Sequence, residues 1–404
     1  MVSETAAKTA ETYFGRKVVG AAFLVATFGF GVGFYGPPVF LRTLHAERGW
    51  AISTISAAIT VHFLFGALLV AYLPEAHRRW GIVRVTQAGA GLAAIGILAW
   101  ASAAEAWQLF PIALVSGAGW AATSGAAINA IVAPWFDKDR PRALSLAFNG
   151  ASIGGMVFTP LWVMLIGELG FVTTAALIGI AITTTLWPIA AHYLQPPPGG
   201  AAAARPASTL TKGRLLRDRR FVTISAAFAL GLFAQAGLFA HLLTRLTPEF
   251  GTNAAAWAIG LVTVCAVLGR TLLGWLIGNG SRRRAAAVNF AVQVCGTALL
   301  AFGSGVFALG CGCMFFGLAS GNLVSLPALI IQKEFAADDA GKAVSLAVAV
   351  NQAVFAFAPA MLGLLRDIEG SYALPFAVAA VIQLAAAVIV VANRSATAAA
   401  GGGR

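Results

Sequence analysis

Twelve times along its 404 residues the chain runs through about 20 or more apolar positions between short polar breaks. The runs fall at about 17–41, 51–73, 83–103, 108–132, 142–166, 170–193, 221–245, 254–277, 285–304, 306–331, 343–365 and 372–392. Each is long enough, as a helix, to cross roughly 30 Å of hydrocarbon. A backbone in lipid must satisfy its own hydrogen bonds, so each run is predicted to be a helix. The expected fold is therefore all-α and integral to a membrane, with twelve transmembrane helices. Composition agrees: 59% of residues are hydrophobic and 10% charged, against roughly 25% charged in a soluble domain. The 45 glycines suit helices that approach closely in lipid.

Charge sets the expected orientation. With the N-terminus inside, the inner segments hold 22 of the 27 Lys and Arg residues. They include Lys8, Arg16 and Lys17, Arg78, Arg79 and Arg84, Lys138, Arg140 and Arg142, and the group from Arg205 to Arg220. Arg282, Arg283, Arg284, Lys333, Lys342, Arg394 and Arg404 complete the set. The outer loops hold only Arg42, Arg48, Arg245 and Arg366. This bias predicts both termini on the cytoplasmic side of the cell (inner) membrane. The net charge of +12 then reflects topology and contact with anionic membrane lipid, and calls for no nucleic-acid partner. The first apolar run exceeds a signal-peptide core and lacks a following small-residue cleavage site, so a retained helix is expected. Cys265, Cys295, Cys311 and Cys313 all lie in apolar runs with no metal-ligand spacing and read as small buried hydrophobes. Neither a metal nor a cofactor is expected.

The chain also repeats itself. "RALSLA" at 142–147 lies over "KAVSLA" at 342–347, and "RRWGIVR" at 78–84 over "GNGSRRR" at 278–284, both at an offset of 200. The expected organisation is a tail at 1–16, a six-helix bundle at 17–194, a cytoplasmic loop at 195–219, a second six-helix bundle at 220–394 and a tail at 395–404. Two like-oriented halves imply parallel repeats, pseudo-two-fold about the membrane normal, with the substrate near the midplane.

On these features the chain resembles the major facilitator superfamily along its whole length. The superfamily's loop motif reads roughly G-x-L-x-D-R-x-G-x-R-R. The second copy here is "GWLIGNGSRRR", which keeps Gly274, has Gly278 where the aspartate belongs and closes on Arg282, Arg283 and Arg284, of which Arg282 and Arg283 are read as inner-gate residues. The first, "PEAHRRWGIVR", keeps Arg79, Gly81 and Arg84 but has Pro74 for glycine and Arg78 for aspartate. Without those acids the usual inner-gate salt bridges are expected to be weakened. "ERGWAISTISAA", "GAGW" at 117–120 and "PWFDKDRPRALSLAFNGASIGGMVFTPLW" are similar to the monocarboxylate and oxalate/formate antiporter branch, with Ser145 where glycine is expected. The resemblance implies a secondary transporter using alternating access by proton symport or anion exchange, and one chain suffices for a complete pathway.

Arg270 is the cation inside an apolar span. Such a charge costs about 2.5–3.5 kcal/mol on insertion scales. None of the 15 acids lies well inside a span, and Ala266 stands where transporters of the branch often carry an acid one turn earlier. A planar, always-charged guanidinium matches a carboxylate, and the resemblance implies the same role for an eighth-helix arginine. The alternative is a structural arginine bonded to helix carbonyls. Tyr35, beside Pro37 and Pro38, is either a carboxylate donor or an interfacial aromatic. Asn129, Asn149, Asn351 and Gln352 are cavity amides or interhelical bonds. His62 and His241 titrate near neutral pH and are candidates for proton coupling, or are packed neutral histidines. Gly29, Gly33, Gly150, Gly154, Gly155 and Pro160 read as helix-packing positions.

One buried cation suits one carboxylate, so a small monocarboxylate is expected over a dicarboxylate, with a proton or counter-anion as the coupled species. The competing reading is efflux of drug-like compounds, which predicts an apolar cavity tolerant of Arg270 replacement. A membrane sensor lacks an output domain, since the longest polar stretch is about 25 residues. An enzyme lacks paired carboxylates, a histidine cluster or a nucleotide loop.

Overall fold

The computed structural model describes residues 2–136, 139–195, 210–278 and 280–392, and for 2–13, 52, 53, 252, 253, 256 and 367 the backbone alone. Lys138, Arg205, Arg394 and Arg404, most of the expected central loop and the expected tail at 395–404 lie outside the described residues. All regular elements among the described residues are helical. They are α1 Val2–Gly33, α2 Gly36–Arg48, α3 Ile52–Ala71, α4 Leu73–Ser102, α5 Leu109–Thr123, α6 Gly125–Val132, α7 Arg140–Leu169 and α8 Phe171–Tyr193. After the short α9 Lys212–Leu215 come α10 Arg219–Phe250, α11 Thr252–Leu276, α12 Arg282–Phe302, α13 Gly305–Ser320 and α14 Leu326–Glu334. The series ends with α15 Ala337–Phe355, α16 Ala358–Glu369 and α17 Ala373–Val391. Singly or joined end to end, they give 12 segments long and apolar enough to cross a membrane.

The chain divides into two compact units, Met1–Ala207 and Ser208–Arg404. In the first unit α1 packs on α7, α4 on α5 and α8, and α3 on α5. In the second, α10 packs on α15 and α17, α12 on α13 and α17, and α11 on α13. The repeat offset of 200 holds at the level of single contacts. A Cβ on Gly117 would lie 2.5 Å from the His62 carbonyl oxygen, and one on Gly317 2.6 Å from that of Val262. Likewise Gly96 lies against Ser116, and Gly296 against the Phe316 backbone. Helix pairs of both units thus touch backbone to backbone at the same repeat positions, where dispersion contacts take the place of hydrophobic burial.

Four spans are broken, where the apolar pattern predicts continuous helices. The first breaks at Phe34–Tyr35, just ahead of Pro37–Pro38. The reason is local: Pro37 has no N–H for the Gly33 carbonyl four residues back, and its ring crowds that carbonyl. The fourth span breaks at Ser124, whose ψ of 174° is extended. The tenth tightens into a 3₁₀ turn over Gly321–Leu323. The eleventh breaks at Ala356–Phe357, just ahead of Pro359, which has no N–H for the Phe355 carbonyl four residues back.

The backbone of the polar N-terminal tail is helical, continuous with α1. Two further expectations are corrected. Residues 73–80 of the first loop motif form a helix and not a loop; Gly81, at φ 80° and ψ 154°, turns the chain before the third span. Only Cys265 and Cys313 are buried, whereas Cys295 is exposed on α12. A one-sided apolar pattern does not reveal which face of a lipid-exposed helix looks outward.

Candidate functional site

Arg270 sits in the last two turns of α11 and is 3% exposed. Small residues around it bring α11 and the tenth span together. Gly269 lies against the Leu318 carbonyl and Gly321 against that of Ala266. Arg270 then reaches the break in the tenth span, where its Nε donates to the Gly321 carbonyl at 2.6 Å. In a continuous helix that carbonyl would accept from Ser325, but the Ser325 N–H goes to Asn322 in the 3₁₀ turn. The guanidinium thus bonds a carbonyl that has lost its α-helical donor to the tighter turn, which orients it. A buried amide network stands next to it: Asn322 donates to the Asn289 side chain at 2.8 Å, and Asn289 to the Ala319 carbonyl at 3.1 Å. Asn351 and Gln352 are buried on α15 of the same unit.

The first unit uses the same device with a histidine. The Gly33 carbonyl, orphaned by Pro37, accepts from His62 Nε2 at 3.1 Å. Ser116 Oγ lies 2.8 Å from His62 Nδ1 and accepts from Trp100 Nε1 at 3.0 Å. A carbonyl can only accept, so this wiring puts a proton on Nε2, while the single Ser116 proton faces both Nδ1 and the Ala113 carbonyl 3.3 Å away. Trp162 Nε1 relieves the neighbouring Gly31 carbonyl at 3.3 Å. The cavity lined by His62, Gly33, Trp100, Ser116 and Trp120 is about 10 Å³, room for about one water and not for an organic acid. His62→Phe is expected to leave the Gly33 carbonyl buried without a donor, a loss of about 1–3 kcal/mol. Pro37→Ala in the same protein supplies a backbone N–H and should restore much of it. Melting curves in detergent check this, and an unchanged midpoint in His62→Phe would exclude the clamp.

Tyr35 is half-buried at the break, with its ring on Gly155 of α7 and edge-on to Phe34 at 5.1 Å. Gly150 and Gly154 face the Phe23 and Thr27 carbonyls of α1, and Gly29 and Gly33 face Thr123 and Trp120 of α5. Pro160 is exposed on the opposite face of α7 and takes no part in that contact, a correction that follows from its place on the turn. Asn129 on α6 and Asn149 on α7 are buried in the same unit. His241 on α10 is half-buried, with Nε2 3.0 Å from the Pro359 carbonyl and its ring 5.6 Å from that of Tyr372.

The two loop motifs part company. Arg79 and Arg84 of the first are exposed, with Arg79 5.4 Å over the Trp80 ring. In the second, the weakened salt bridge expected from Gly278 is corrected. Arg283 pairs with Glu334 of α14 through Nε at 2.6 Å and Nη2 at 2.7 Å. Arg283 Nη1 also bonds the Thr223 hydroxyl and the Val390 carbonyl, and Nη2 the Arg220 carbonyl. Arg282 donates to the Leu329 carbonyl. The acid missing from the motif is supplied by another helix, which no local motif could signal. Gly274 is half-buried on α11.

Among the described residues, twelve segments long and apolar enough to span a membrane fall in two repeated units, with side chains capping the breaks of facing helices. The chain belongs to the Major Facilitator Superfamily, whose model matches residues 21–359. It is a multi-pass membrane protein and a secondary transporter. It is 25% identical to monocarboxylate transporter 13 of Bos taurus over 74% of this chain and 70% of that one. It is 22% identical to an uncharacterized MFS-type transporter of Bacillus subtilis over 66% of this chain and 68% of that one. Among solved structures, the human organic anion transporter MFSD10 superposes with a TM-score of 0.71 at 15% identity, covering 93% of this chain and 99% of that one. The E. coli fucose:proton symporter gives 0.69, also at 15%, covering 93% and 98%.

Proposed function

We propose that the chain carries small organic anions, with a monocarboxylate as the substrate that fits best and Arg270 as the carboxylate receptor. The observation that supports this reading is a guanidinium 3% exposed within an apolar span, oriented by the Gly321 carbonyl. A fixed, permanently charged fork is worth its desolvation cost where an oxyanion repays it. The monocarboxylate named for the bovine relative points the same way. Tyr35, Asn129, Asn149, Asn351 and Gln352 are proposed as further substrate contacts. Of the two histidines, His241 is half-exposed and is assigned any coupled proton. His62, with both ring nitrogens engaged, is assigned to the clamp on the first span. Orientation with the termini in the cytoplasm, residence in the inner membrane and action as a monomer complete the proposal.

Purified protein in liposomes loaded with a panel of organic acids tests it by counterflow of labelled pyruvate or lactate. A monocarboxylate inside is expected to drive accumulation, and an imposed proton gradient separates symport from exchange. Far stronger competition by a dicarboxylate would overturn the monocarboxylate assignment. If no acid moves, efflux of drug-like compounds takes its place.

A further inference from the structure

Near the middle of α10, the half-buried Gln235 is bonded across to α12. Gln293, fully buried, donates from Nε2 to the Gln235 Oε1 at 2.9 Å. Turning both amides round would leave the buried Gln293 nitrogen with no acceptor for either N–H, in place of one bare oxygen. Gln293 therefore sets the Gln235 amide with its oxygen engaged. Among the described residues no acceptor meets the Gln235 Nε2, so this end of the side chain is a neutral group that can only donate.

Its place in the second unit is close to the anchor of Arg270. Gly231, one turn before Gln235 on α10, lies against the Phe290 ring of α12 and the Leu323 side chain of the 3₁₀ turn. The Gly321 carbonyl of that same turn accepts from Arg270. On α12, Asn289 accepts from Asn322 of the turn, and Gln293 follows four residues later, about 6 Å along the helix. Along the bundle, the Arg270 anchor and the Gln235 donor are thus about one helical turn apart, a separation that a short acid can bridge. The repeat offset of 200 also sets Gln235 over Tyr35, the substrate contact proposed in the first unit.

We propose that Gln235 determines specificity, with Gln293 as its positioning residue: its amide donates to an oxygen on the carbon next to the substrate carboxylate while Arg270 holds that carboxylate. This rests on the reading of Arg270 as the carboxylate receptor. A group that only donates suits an oxo oxygen, which only accepts; a hydroxyl fits less well, and a methylene leaves the donor bare. Pyruvate, lactate and propionate have three carbons and one carboxylate each, and differ at that carbon alone. In counterflow of labelled pyruvate into liposomes, unlabelled pyruvate is expected to compete best, lactate next, and propionate about tenfold more weakly than pyruvate. The ratio of pyruvate to propionate is taken within one protein, so differences in yield or folding cancel. Gln235→Met removes the donor and should bring that ratio close to one. Gln235→Glu keeps an oxygen for Gln293 Nε2 but has no amide donor, so the preference should be lost there too, whereas a purely interhelical role would retain it. Gln293→Met frees the Gln235 amide and should lower the ratio part of the way. Equal competition by pyruvate and propionate in the wild type, or a preference retained by Gln235→Met or Gln235→Glu, would overturn the role of Gln235 and leave the organic-anion reading standing. A wild type that exchanges no acid would overturn that reading and this inference with it.

Discussion

Arg270→Ala is expected to abolish pyruvate counterflow, by 100-fold or more, while the protein still inserts and purifies. Truncating one partner of a buried charged hydrogen bond costs about 2–5 kcal/mol, and each 1.4 kcal/mol is about tenfold. The same change also removes the donor to the Gly321 carbonyl, so a loss of stability will accompany it. Arg270→Gln separates the two effects. An amide can still cap the carbonyl, so its melting midpoint should lie nearer the wild type than that of Arg270→Ala. It carries no charge and no carboxylate fork, so its transport should stay as low. Arg270→Lys keeps the charge as a point and should recover only part of the rate, since ammonium lacks the planar match. Counterflow and melting curves on the three variants make the check. Wild-type transport by Arg270→Gln would reduce Arg270 to a helix cap and leave the substrate site elsewhere.

The largest effect on stability is expected at the other buried arginine. Glu334→Gln removes the carboxylate that accepts both Arg283 Nε and Nη2, while the arginine side chain stays only 9% exposed. Breaking a buried pair by one partner costs about 3–5 kcal/mol, because the surviving charge is stranded. Glu334 is 25% exposed, so water reaches part of it and the lower end of that range applies. Arg283 also ties the ends of α10, α12, α14 and α17 together through Thr223, Arg220 and Val390, so the whole end of the second unit should loosen. Replacing both residues, Arg283→Met with Glu334→Met, should be less harmful than Glu334→Gln alone, since no charge is left behind. A Glu334→Gln protein that melts as the wild type does would remove the pair from the account of stability.

Several parts of this structure were legible in the chain, for reasons tied to particular residues. Lipid demands about 20 apolar residues per crossing, so hydropathy alone locates the spans. The repeat from "RALSLA" to "KAVSLA" aligns the halves, and the contacts of Gly117 and Gly317 fall at the same offset. Arg270 is conspicuous in sequence because a charge in hydrocarbon is rare. Pro37 carried a signal that can be read more fully than as a bend: it names Gly33 as the carbonyl left without a donor, and so implies a side chain that must reach it.

What that side chain is, only the tertiary structure decides. His62 is 29 positions from Gly33, Gly321 is 51 from Arg270, and Glu334 is 51 from Arg283. Arg245 and Arg366, from the two halves of the second unit's sequence, line one cavity. Sequence determines where a proline must interrupt a helix and which residues carry charge, because those are properties of the local backbone and of single side chains. Which carbonyl meets which donor depends on how helices pack, and that is set by close contacts such as Gly269 on Leu318 and Gly154 on Thr27, summed over faces that no single segment contains.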